Sequence, residues 1–80
     1  MKYIALLKFD IDKLDKIIKV CNDISKIDKT FKFRVVNEDY AVKMGRIELI
    51  CNSKDECHRR AMWFIHRVDN KIRYDISLEK

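Results

Sequence analysis

The sequence has no proline, a single glycine at Gly45 and three cysteines. Without proline or a glycine-rich stretch, nothing reads as a flexible linker, and one glycine cannot build a phosphate-cradling loop. Cys21, Cys51 and Cys57 are odd in number, which argues against a disulfide framework. Each falls on the apolar side of its element and reads as a free thiol packed as a small hydrophobe. No apolar run approaches the roughly 18 residues of a membrane span, and the chain opens on strand-like sequence rather than on the apolar core of a signal peptide. The expectation is a cytoplasmic protein with no membrane partner.

What is present is charge laid over a regular apolar pattern. Eighty residues, 48% apolar and 39% charged, supply one domain spanning 1–80 with both a core and a solvated surface. The net charge of +5 has no basic tail, since successive twenties carry about +2, 0, +2 and +1. That balance favours a polyanion, with RNA ahead of DNA, or an acidic protein as partner. Lysine, isoleucine and aspartate are abundant, as in AT-rich genomes such as those of phages.

Residues 2–9 form a short, nearly continuous apolar run, the pattern of a central strand covered on both sides. Asp12 then offers an N-cap, and Leu14, Ile17, Ile18, Cys21 and Ile24 recur at helical spacing to about residue 27, with Val20 and Ile27 widening one flank. Asp15 and Lys19 are placed for an i,i+4 ion pair on the outer side. From Thr30 to Val36, Phe31, Phe33 and Val35 alternate with an outer row of Lys32, Arg34 and Val36. Residues 37–39 read as a turn, 37–45 leave room for a further short strand, and Gly45, where the alternation switches parity, reads as a bulge or tight turn before a strand at 46–51.

Ser53 and Glu56 form a capping-box pattern, followed by Cys57, Ala61, Phe64, Ile65 and Val68 within one sector of a second helix. Ile72, Tyr74, Ile76 and Leu78 then alternate as a half-buried strand near an edge. The order β-α-β-β-α-β predicts an α+β, ferredoxin-like domain, a four-stranded antiparallel sheet with two helices on one face. That architecture hosts many unrelated functions.

The most informative cluster lies on the second helix. Trp63 falls about 150° from the centre of the apolar sector, taking about 100° per residue, so it faces outward. Arg59 and Arg67 lie one turn either side, with His66 beside it and Arg60 on the flank. An indole between guanidiniums can stack on a base while the arginines meet phosphates, and the same trio suits a protein hot spot. The plainer reading lays Trp63 under its own arginines or against a loop. Lys32, Arg34 and Arg73 are expected to assist from the sheet. The open sheet face, with Lys2, Ile4, Leu6 and Lys8 on its central strand, shows an apolar strip with a basic rim, a pattern suited to a homodimer or partner contact. It lacks the glycine and repeated aromatics of an RRM.

Asp10 and Asp12 put two carboxylates in one turn, a possible divalent-cation pair. The run Phe9-Asp10-Ile11 resembles the strand-end aspartate of small ferredoxin-like nucleases of the CRISPR adaptation type, over about the first quarter of the chain. That resemblance implies a metal-dependent nuclease using Asp10, but nothing after Asp12 matches the family, and helix capping accounts for Asp12. Cys51, Cys57, His58 and His66 contain no zinc-ligand spacing, and His58 reads as a hydrogen-bonded histidine beside the core. No cofactor is expected and no catalytic set stands out. The sequence therefore points to a small binding protein that acts on RNA as a regulator. The alternative is a protein-interaction module, an inhibitor or accessory factor of phage or mobile-element origin.

Overall fold

The computed structural model describes residues 1–36 and 44–79. Six elements follow in order: β1 (Tyr3–Asp10), α1 (Leu14–Ile27), β2 (Lys32–Val35), β3 (Met44–Cys51), α2 (Lys54–Arg67) and β4 (Arg73–Leu78). The four strands make one antiparallel sheet ordered β2-β3-β1-β4, an α+β arrangement. The turn expected at 37–39 and the extra strand at 37–45 lie largely outside the described residues.

Alternation along β1 decides where the core sits. Ala5, Leu7 and Phe9 pair across the ladder with Leu49, Ile47 and Gly45, and together with Leu14, Ile17, Cys21, Cys57, Ala61 and Phe64 they form one buried cluster. Both helices therefore cover the same face. The even residues of β1 point the other way, to a face that neither α1 nor α2 covers, so among the described residues no helix sandwiches the central strand as its apolar run suggested. Ile4 is nonetheless only 8% exposed. A side-chain bridge explains this: Arg34 on β2 holds Glu48 at 2.8 Å and reaches Glu79, just past β4, at 3.4 Å. Three strand spacings separate β2 from β4, about 14 Å, so the bridge crosses the face on which Ile50 and Ile4 pair.

The entry to α1 differs from the capping expectation. Ile11–Lys13 form a 3-10 turn, and Lys13, not Asp12, stands at the N-cap with no side-chain cap bond. Asp12 instead lies inside that turn, where its charge favours the helix N-terminus without a hydrogen bond. On the outer side of α1 the ion pair that forms is Lys19–Asp23 at 3.6 Å, one turn later than the Asp15–Lys19 spacing suggested. The helix stops without glycine: Asp28 accepts from both the backbone N–H (2.9 Å) and the hydroxyl (2.6 Å) of Thr30 on Oδ1, which turns the chain toward β2. At α2 the cap is as expected, Ser53 Oγ accepting from the Glu56 N–H at 3.1 Å. The Glu56 carboxylate turns to Arg60 at 3.0 Å.

Gly45 makes no bulge. The β1–β3 register runs without a break from Asp10 opposite Met44 to Tyr3 opposite Cys51, which leaves Met44 and Gly45 on opposite faces as in any strand. The glycine is there for space: a Cβ on it would run into the Phe9 ring, closest to Cε2, with Cδ2 and Cζ at 3.0 and 3.2 Å. Tyr40 and Val42, which suggested the switch of parity, lie outside the described residues.

Candidate functional site

The C-terminal end of α1 and the middle of α2 run past each other with a groove of about 430 Å³ between them. Ile24 and Ile27 come from α1, Arg59, Arg60, Trp63 and Phe64 from α2, and Asp28 and Phe31 from the turn that joins α1 to β2. Phe31 and Phe64 are buried and stack at 6.5 Å between centroids with their planes 29° apart, forming the apolar base of the groove. Trp63 stands edge-on to Phe64 at 5.2 Å and 79° and remains 40% exposed. Ile27, expected to widen the apolar flank of its helix, is instead 87% exposed. Two apolar side chains at the mouth of an aromatic groove leave surface in water that a ligand would cover.

One polar corner is built into this apolar wall. Arg60 packs its guanidinium over the Phe31 ring at 5.1 Å and holds Glu56 at 3.0 Å, the Thr30 hydroxyl at 3.3 Å and Asp28 Oδ2 at 3.7 Å. Its Nη1 is buried and has no hydrogen-bond partner among the described residues. A buried donor left unmet costs about 1–3 kcal/mol, and more when it belongs to a charged group such as this guanidinium. The Thr30 hydroxyl and N–H, with the Arg60 charge adding to them, hold the Asp28 carboxyl below the usual carboxylate range, so an ionised oxygen and a guanidinium stand side by side at the groove.

The residues singled out from sequence divide into two groups. Arg59, Arg60 and Trp63 share the groove. His66 and Arg67 continue along the exposed side of α2, and among the described residues neither they nor Arg59 form an ion pair with a carboxylate. Arg60 is different, being committed to its own internal partners. The arginine expected over Trp63 is not there: the cation–π contact is between Arg60 and Phe31.

Lys32, Arg34 and Arg73 pair across the ladders with Ile50, Glu48 and Lys8, which places them on the open face, away from α2. They therefore form no common surface with Trp63. Arg34 is tied to Glu48 and Glu79, and Lys8 to Asp75 at 2.6 Å, so the basic rim is partly neutralised in place.

Sequence reasoning missed Ile27, Asp28 and Phe31, which belong to the groove only because α1 ends beside α2. The one available signal was Asp28 two residues before Thr30, the spacing of a side-chain turn. Asp10 and Asp12 are both exposed, and among the described residues no three His, Cys, Asp or Glu side chains gather as a metal site. His58 is exposed, with its Nδ1 2.8 Å from the Tyr74 hydroxyl. Cys21, Cys51 and Cys57 are buried free thiols. No helix among the described residues is long and apolar enough to cross a membrane. Comparison with known proteins returns no matching family model, curated protein or solved structure, so the functional argument rests on this geometry.

Proposed function

We propose that this chain is a small basic protein that binds nucleic acid, RNA ahead of DNA, through α2, and that it acts as a cytoplasmic regulator without catalytic chemistry of its own. The carrying observation is Trp63, 40% exposed, with Arg59 and Arg67 one helical turn to either side and free of carboxylate partners among the described residues. Aromatic faces stack on bases and unpaired cations take phosphates, with a binding energy that falls as salt rises. The strand–helix–strand–strand–helix–strand order and the sheet order β2-β3-β1-β4 support a ferredoxin-like domain as the scaffold. In this reading Lys32, Arg34 and Arg73 are not part of the α2 surface.

An electrophoretic mobility shift with mixed RNA and DNA oligonucleotides at low and moderate salt tests the reading. The wild type is expected to bind with salt-sensitive affinity, and the Arg59→Ala, Trp63→Ala double variant to lose binding while staying folded. Salt-independent binding, or equal binding by the variant, refutes it.

One observation favours a second reading. Ile27 is almost fully exposed beside Trp63, as in the apolar anchor of a protein-interaction module, an inhibitor or accessory factor of mobile-element type. Retention of a defined protein after nuclease treatment, lost in Ile27→Ser, is the result that reading requires.

A further inference from the structure

We infer that the groove between α1 and α2 is a pocket for a single unpaired nucleobase, so that the protein selects single-stranded over double-stranded nucleic acid. This rests on the nucleic-acid reading above and narrows its substrate class. Three features of the groove carry it.

The first is shape. Trp63 and Ile27 stand at the mouth over a floor of Phe31 and Phe64, an apolar slot that suits a flat ring. An indole can stack only on a base whose face is free, and in a duplex both faces are already stacked.

The second is the polar corner. Asp28 Oδ1 is filled by Thr30, whereas among the described residues Oδ2 has only the Arg60 guanidinium at 3.7 Å, a separation that leaves it free to accept a hydrogen bond. A free acceptor suits the Watson–Crick edge of any base, since each offers an N–H there. In a duplex that edge is already used. The corner therefore calls for an unpaired base without choosing which one.

The third is the placement of charge. Arg59 shares the groove with Trp63 and Arg67 lies one turn beyond it on the exposed side, so the phosphates flanking a seated base meet cations along α2. The carboxylate stays at the base edge.

Trp63 is the only tryptophan, so its fluorescence reports the pocket directly. Wild-type protein is titrated at low salt with a ten-nucleotide oligouridine, with a GC-rich hairpin duplex that stays paired at low salt, and with a ten-nucleotide abasic strand. The expected result is quenching and binding by the single strand, with the duplex and the abasic strand at least about tenfold weaker, as loss of one stacked base implies. Ile27→Ser, at a position exposed enough to spare the fold, is expected to weaken oligouridine binding several-fold and leave the abasic strand unchanged.

Equal binding of all three ligands without quenching overturns the pocket and leaves nucleic-acid binding through the Arg59 and Arg67 charges standing. No binding to any of them overturns both.

Discussion

Replacing Gly45 by alanine is the sharpest test of how the sheet and core fit together. The added methyl would collide with Phe9, a ring that is 3% exposed and enclosed by the cluster under both helices, so it cannot swing into water. Overpacking of this kind costs about 1–3 kcal/mol. Restricting the unfolded chain by exchanging glycine for alanine returns about 0.4–1 kcal/mol. Taking the middle of each range, the net loss is about 1.3 kcal/mol, which for a domain of this size lowers Tm by roughly 5–10 °C.

Urea unfolding followed by circular dichroism, with the slope m unchanged, measures it. A second variant isolates the cause: in a Phe9→Leu background the ring is gone, so Gly45→Ala is expected to cost less than in the wild type. A Gly45→Ala protein as stable as the wild type, or equal costs in the two backgrounds, refutes the close approach of Gly45 to Phe9.

Two further outcomes follow from the helix cap and the thiols. Ser53→Ala removes the acceptor for the Glu56 N–H and is expected to lose about 1 kcal/mol, whereas Ser53→Gly loses only a few tenths; equal losses in urea unfolding contradict the cap. Burial pushes the Cys21 and Cys57 thiols up to about 12 and raises Cys51, so a thiol reagent at neutral pH is expected to modify all three only after unfolding. Below about pH 8 both folded and unfolded chains keep these thiols protonated and they add no pH dependence. Above it the unfolded chain ionises first and binds fewer protons, so stability falls as pH rises from about 8 toward 12. A Cys21→Ala variant is expected to show a shallower decline, and an unchanged slope removes Cys21 as a cause.

The elements were legible in the sequence because each signals locally. The i, i+3, i+4 recurrence from Leu14 to Ile24 marks α1, the strict alternation from Ile72 to Leu78 marks an edge strand, and Ser53 with Glu56 marks the start of α2. Trp63 could be read as outward-facing for the same reason: its helix has one apolar side and Trp63 is not on it.

What could not be read depends on neighbours far apart in the chain. Gly45 imitated a bulge because its partner Phe9 lies 36 residues earlier, and a missing side chain looks the same whether the backbone bends or a ring needs room. Arg60 looked like one more surface cation, yet it turns inward to Asp28, Thr30 and Phe31, none of which has a recognisable spacing to α2. Arg34 and Arg73 were grouped with Trp63 by charge alone, and only the ladder register separates their face from that of the helices.

The Arg34–Glu79 bridge makes the wettability of the open face depend on ionic strength. In dilute salt the bridge crosses the face where Ile4 and Ile50 pair, and an approaching molecule meets charge. Half-exposed ion pairs weaken as the Debye length shrinks from about 10 Å at 0.1 M to about 3 Å at 1 M, and release of the bridge bares a strip of Ile4, Leu6 and Ile50 along the middle of the sheet. Rising salt therefore acts on both sides of the protein at once: it screens Arg59 and Arg67 on α2 and uncovers apolar surface on the far face.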